Sequence, residues 1–318
     1  MTIIDEISRV GERELPDPGA GAPRPPRRSR RRDREHLVGL AMVAPVVLGL
    51  AVFQLSPLVW AMTESVQAFN PMTHRSIGFV GGDNFDRLFA DPVFWRALGN
   101  TLIYGVGITV VEVAAALGIA LLMHRVVPGT RFARSAVIAA LAAAESVMAL
   151  LWFTIYNRDT GLANSLIEAI GFDGVPWLTS EQFAIPSIMI MSIWKDVGLP
   201  TLIFLAGLQS LDEDLYGASS LDGANAWQQF VHVTLPLLSR STIVAVFMVT
   251  IGATRIFTPI LLMTSGGPNA SSTNLIYYAY DQGFRYLDYG VGSAATVCMM
   301  VLLAAVTLLQ GVVLKEQR

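Results

Sequence analysis

Six long apolar runs divide the chain: Leu37–Met62, Thr101–Met123, Ser135–Tyr156, Phe183–Leu208, Ser241–Met263 and Tyr289–Leu314. A helix needs about 20 residues to cross roughly 30 Å of hydrocarbon, and every run reaches that length. Backbone amides in lipid have no water to bond, so each run is predicted to be helical. Between the runs lie polar segments rich in turn residues. Ser265-Gly266-Gly267-Pro268 stops the fifth run, and Asp222-Gly223 interrupts the stretch between the fourth and fifth. GLANSLIEAIGF sets Leu162, Leu166, Ile167 and Ile170 at helical spacing, which predicts a short amphipathic helix on the membrane surface. The expected fold is an all-α integral membrane protein with six transmembrane helices in residues 37–318, after an N-terminal tail of residues 1–36.

Composition agrees. Of 318 residues, 53% are hydrophobic and 15% charged, with a mean hydropathy of +0.51, a balance uncommon in soluble domains. Charge then orients the spans. Nine arginines precede the first run; with that end inside, fifteen Lys and Arg lie on the cytoplasmic side and five opposite, while Lys195 and Arg255 fall within runs. Both termini are therefore expected in the cytoplasm. The first run is too long for a signal peptide and lacks a small-x-small exit, so it reads as a retained anchor. The Pro- and Arg-rich tail cannot form a core and reads as disordered. Attraction to anionic inner-leaflet lipids accounts for its charge without a nucleic-acid partner. Cys298 is the single cysteine, so no intrachain disulfide forms. The sequence shows no zinc-type spacing and no phosphate-cradling glycine loop, and no cofactor or metal is expected. The segment after the fourth run is too small to bind and hydrolyse a nucleotide, so energy for vectorial work would come from another chain or an ion gradient.

The interrupted stretch between the fourth and fifth runs carries the most specific signal. LDEDLYGASSL forms a helix with Leu211, Leu215, Ala218 and Leu221 on one face, and Gly223 ends it in the left-handed conformation. ANAWQQFVHV forms a second helix, and Pro236 suits the first turn of the next span. The result is a rigid, angled knob. Ala218, Asp222, Gly223, Ala224, Trp227, Phe230, Leu235 and Pro236 together resemble the cytoplasmic coupling loop, the EAA loop, of permease subunits in bacterial binding-protein-dependent ABC importers. NRDTGLANSLIEAIG, SIWKDVGLPTLIFLAGLQSL, RIFTPILLMTSGGP and YAYDQGFRYLDYGVGSAA are similar, in the same order, to the sugar-importer branch with maltose- and glycerol-3-phosphate-type permeases. One departure stands out: Gly217-Ala218-Ser219 replaces the family's Glu-Ala-Ala, leaving Glu213 or Asp214 to make the docking contact of the missing Glu.

The resemblance implies a multi-pass subunit of a bacterial inner membrane, without bond chemistry of its own. Its implied partners are a second permease, an ABC ATPase dimer that binds ATP and Mg, an extracytoplasmic substrate-binding protein and a carbohydrate-like solute. It also implies a translocation path through Ser192, Asp196 and Leu199 in the fourth span, facing Val249, Gly252, Ala253 and Ile256 in the fifth. Lys195 joins that path as an ionisable residue deep in a span, and Trp194 as a possible stacking surface for a sugar ring. Glu112, Glu145 and Arg255 are the other charges within runs, with interhelical pairing and a transport role both open for the two glutamates. A glycerol-3-phosphate or glycerophosphodiester cargo would recruit Lys195 and Arg255. An ion-coupled secondary transporter would instead use the buried carboxylates as a proton relay, without a coupling loop.

Overall fold

A computed structural model describes residues 29–70, 72–73, 75–124 and 130–315. Contacts divide the chain into two units, Met1–Pro57 and Leu58–Arg318. The first contains α1 (Ser29–Leu50), a π-helical turn (Ala51–Leu55) and the start of α2 (Ser56–Glu64). Helix therefore begins eight residues before the apolar run, in a segment whose four arginines are good helix formers; the rest of the expected tail, residues 1–28, lies outside the described residues.

The second unit opens with a small antiparallel hairpin, β1 (Gln67–Phe69) and β2 (Ser76–Phe79), bulged between Ala68 and Phe69. The all-α expectation is corrected to that extent. Short polar-apolar alternation outside the runs carried this signal. α3 (Asp83–Ala90) leads to α4 (Pro92–His124), which starts nine residues before its apolar run because Asp91 accepts from the Val93 amide and Pro92 occupies the first turn. α5 (Thr130–Leu141) and α6 (Glu145–Ile155) share the third run. α7 (Leu162–Ala169) is the expected amphipathic helix, with Leu162, Leu166 and Ile170 exposed.

α8 (Ala184–Asp196) and α9 (Gly198–Gln209) form the fourth run, bent by 48°. Pro200 causes the bend: it has no N–H for the Asp196 carbonyl one turn back. α10 (Glu213–Leu221), α11 (Ala226–Gln229), a π turn (Phe230–Thr234) and α12 (Leu235–Leu237) follow, then α13 (Ser239–Thr254) at 68° to the segment before it. The fifth run breaks at Arg255–Phe257, where Pro259 cannot bond the Arg255 carbonyl, and resumes as a π turn (Ile260–Thr264). α14 (Leu275–Tyr280), a π turn (Asp281–Arg285) and α15 (Tyr289–Lys315) complete the chain. Among the described residues, three helices are long and apolar enough to cross a membrane, or up to five spans if each bent pair counts as one, against the six expected.

Among the described residues the packed interior falls into three clusters. One end of α4, α9 and α13 is sealed by Ala116, Ala120, Phe204, Leu208 and Leu238. The other halves of these runs meet through Tyr104, Ile108, Ile188, Met191, Ile256 and Ile260. The third joins α3, α14 and α15 through Leu88, Leu275, Tyr278 and Ala294. Two glycines make close approaches possible: a Cβ on Gly198 would lie 2.9 Å from the Val137 carbonyl and from Leu141, and one on Gly207 would collide with Ser241 Oγ.

Asn274 closes the break in the fifth run. Its Nδ2 donates to the Ile256 carbonyl at 2.6 Å, while its Oδ1 accepts from the Tyr277 amide at 2.8 Å and caps α14. Asn274→Ala should lose both the cap and the donor, at about 1 kcal/mol for the cap and about 1–3 kcal/mol for the stranded carbonyl. Thermal unfolding of the detergent-solubilised protein should show a lower midpoint for Asn274→Ala than for wild type; equal midpoints would show that the break is held by something else.

Candidate functional site

Three consecutive runs are interrupted, and the interruptions converge on one cavity of about 430 Å³. Leu141 and Glu145 flank the gap between α5 and α6. Lys195, Asp196, Leu199 and Pro200 flank the bend of the fourth run, and Arg255 and Ile256 sit at the break of the fifth. α4 supplies the unbroken wall through Tyr104, Ile108 and Glu112, spaced four residues apart on one helical face. Met248, Val249, Gly252 and Ala253 of α13 complete it.

Polar groups in the cavity are partly paired. Lys195 Nζ donates to Asp196 Oδ1 at 2.7 Å. The Tyr104 hydroxyl donates to Ser192 Oγ at 2.7 Å and ties α4 to α8 at the edge of the cavity. Thr109 and Thr250 hydroxyls, 3.1 Å apart, tie α4 to α13. Glu145 occupies the first turn of α6, where the helix's free amides favour a carboxylate. Glu112 is 4% exposed.

Of the positions expected along the path, Ser192, Lys195, Asp196, Leu199, Val249, Gly252, Ala253 and Ile256 all line this cavity. Trp194 does not. Residues 192, 195, 196 and 199 share one face of a 3.6-residue helix, and position 194 lies on the opposite side. Its ring, 49% exposed, meets Trp152 edge-on at 5.9 Å and borders a separate apolar groove with Ala115, Ile119 and Ile193. Tyr104, Ile108 and Met248 were not foreseen. Glu112, Glu145 and Arg255 stood out in the sequence only as charges within apolar runs; their convergence needed the fold.

The stretch between α9 and α13 turns at Gly223 as expected, but Pro236 lies in α12, before the 68° bend, and not in the first turn of the fifth span. Asp212 caps α10 by accepting from the Asp214 amide, Gly223 takes φ +82°, and Asn225 and Gln228 form a reciprocal capping box at α11. Side chains brace the two arms: Gln229 Nε2 donates to Ser220 Oγ at 2.8 Å, and the Tyr216 and Thr234 hydroxyls lie 3.0 Å apart. Ala218, Asp222, Leu235 and Pro236 are exposed, Ala224 and Phe230 half-buried. Trp227 is 70% and Leu221 91% exposed, and Trp227 packs on Phe230 at 5.6 Å. Open space surrounds Gly217, so the family's Glu would fit there.

Residues 112–318 match the family described as the binding-protein-dependent transport system inner membrane component. The chain belongs to this family. This permease is 31% identical over 277 residues to the sulfoquinovosyl glycerol transport system permease protein SmoG of Agrobacterium fabrum, covering 86% of its own length and 89% of the relative's. It is 31% identical over 281 residues to the trehalose/maltose transport system permease protein MalF of Thermococcus litoralis, covering 86% and 92%. In fold, it superposes on a chain of a bacterial ABC transporter for the acidic polysaccharide alginate, with TM-score 0.78 at 22% identity and coverage of 90% and 98%. It also matches an alginate transporter in complex with an alginate pentasaccharide-bound periplasmic protein, with TM-score 0.76 at 23% identity and coverage of 88% and 94%.

The Lys195–Asp196 pair gives a stability test for this permease. Lys195 is 14% and Asp196 46% exposed, so the pair is only partly screened. Lys195→Met strands Asp196 in a cavity that already holds Glu112 and Glu145, at about 1–2 kcal/mol after discounting for exposure. Lys195→Met with Asp196→Leu should recover most of that loss. A double variant no more stable than the single one would mean the two charges do not depend on each other.

Proposed function

We propose that this permease is the transmembrane path of an ATP-driven sugar importer, in which the cavity carries the solute and the α10–α11 knob receives the driving force. One observation carries the reading. The knob continues at both ends into helices that terminate at the cavity: α9 begins at the bend beside Asp196, and α13 ends at the break beside Arg255. At 1.5 Å per residue these are rods of roughly 18 and 24 Å. They are packed together through Phe204, Leu208, Leu238 and Ala245, so a push on the knob moves both cavity walls as one body.

In this reading the six runs cross a bacterial inner membrane six times, both termini are cytoplasmic, and the knob meets a cleft of a separate ATPase dimer. A second permease supplies the opposite wall, and an extracytoplasmic binding protein delivers the solute. The permease itself makes and breaks no covalent bonds; it alternates access between the two sides. The relatives that transport carbohydrates support the choice of cargo, as does a cavity that mixes charged hydrogen-bonding groups with apolar walls.

Two measurements test it. A cysteine at Asn269, with Cys298 replaced, should react with an impermeant reagent from outside, and one at Ser220 only from inside; the reverse pattern would invert the orientation. Gly223→Val forces a β-branched side chain to φ +82°, with strain of about 1–3 kcal/mol. It should leave the permease inserted but weaken ATPase co-purification, or separate ATP hydrolysis from uptake. Gly217→Glu, in open space, should be tolerated. Full coupling in Gly223→Val would reduce the knob to a connector.

A further inference from the structure

We infer that the apolar groove beside Trp194 binds an acyl chain of a membrane lipid, which packs behind the bend of the fourth run. The site needs only that the runs lie in a bilayer; its freedom from a second permease rests on the importer reading.

The groove measures about 530 Å³ and lies where α4, α5 and α8 meet. Ala115 and Ile119 form one wall, Val137 and Ala140 a second, and Ile193 and Trp194 the third. Every lining side chain is apolar apart from the indole N–H of Trp194, so a polar ligand would find almost nothing to bond. An apolar cavity of about 150 Å³ already stays dry and takes up benzene. A far larger apolar space at membrane depth is filled by hydrocarbon and not by water.

Its position identifies the hydrocarbon. The α8 wall lies at the middle of the fourth run, Phe183–Leu208, at the depth of acyl chains and away from headgroups. Positions 192, 195, 196 and 199 face the cavity, whereas 190, 193, 194 and 197 face the groove, so α8 stands between the two. A second permease that closes the cavity therefore approaches from the other side of α8. The groove's rim runs on into exposed apolar side chains: Ile190 at its mouth, Leu122 one turn beyond Ile119, and Leu151 next to Trp152. A protein span fits poorly. One helical turn, about 10 Å across and about 5.4 Å long, takes up on the order of 400 Å³, so the groove has room for little more than one turn. An acyl chain is narrow enough to enter lengthwise.

The groove also touches the bend itself. Val197, between α8 and α9, lines it, and the adjoining α5 brings the Val137 carbonyl and Leu141 against Gly198. A change in the bend moves these walls, and a chain held between them favours the arrangement it fits.

The test places the full chain, with its partners, in vesicles doped with a phosphatidylethanolamine that carries a photoactivatable diazirine in mid-chain. After illumination, mass spectrometry should find lipid adducts on the peptide holding Ile193 and Trp194. Ala140→Phe, which fills the groove from α5, should remove those adducts and leave the yield on the other spans unchanged. Added phosphatidylethanolamine should also raise the thermal midpoint of detergent-solubilised wild type by a few degrees more than that of the variant. Should Ala140→Phe fail to fold, Ala115→Phe fills the groove from α4 and is read in the same way. No adduct on the wild-type peptide, adducts that persist in the filled variant, or equal rises in midpoint would each overturn the site. Adducts formed with the chain alone but lost when its partners are present would show a protein segment in the groove, and would overturn it too. If no second permease or ATPase co-purifies, the importer reading fails, while adducts on the chain alone still decide the site.

Discussion

A backbone amide in hydrocarbon must find its partner within the protein, and this requirement shapes everything else in the permease. An unbroken helix such as α4 meets it alone. An interrupted helix does not, so its free carbonyls and amides need either a side chain or a polar space. The gap between α5 and α6, the bend at Val197 and the break at Arg255 all open onto one cavity, where such groups are tolerated. Asn274 closes part of the remaining account by bonding the Ile256 carbonyl from outside the run. The cavity and the broken helices are two aspects of one solution.

The same breaks divide rigid from movable material. Below the cavity, α9 and α13 are packed against α4 around Phe204 and Leu238, with Gly207 allowing Ser241 and Leu238 to approach its backbone. On the other side, Tyr104, Ile188, Met191 and Ile256 form a separate cluster. Two packed bodies joined at proline-induced discontinuities are the kind of element that switches between arrangements rather than deforming continuously. The knob sits at the far end of the first body, braced internally by Tyr216, Ser220, Gln229 and Thr234. That bracing ties its two arms together.

Charges within apolar runs follow from the cavity too. Each costs about 2.5–3.5 kcal/mol in lipid on insertion scales, so five of them on a lipid face would be prohibitive. Gathered around a shared polar space, Lys195 and Asp196 offset each other, Glu145 gains from a helix N-terminus, and Glu112 and Arg255 line the same space. The cost of placing them is met by a site rather than by pairwise neutralisation.

Hydrophobic run length, the Asp222-Gly223 turn, the capping residues of the knob and the helical spacing of Ser192, Lys195, Asp196 and Leu199 were all legible in the chain, because each depends on neighbours within a few residues. Pro200 and Pro259, next to the bend and the break, also act locally, since neither has an N–H for the carbonyl one turn back. Other features had no local signal. Ala142, Ala143 and Ala144 are good helix formers, yet α5 ends there and α6 begins anew, beside the close approach of Gly198 to Val137 and Leu141. Trp194 looked like a path residue until the helix's azimuth turned it toward Trp152. Asn274 could be read as a helix cap, but its bond to Ile256, eighteen residues away, could not. The sequence by itself determined most of the helical segments and the turn at Asp222-Gly223. Only the tertiary structure decided which broken ends meet, because that depends on side chains far apart in the chain competing for one shared space.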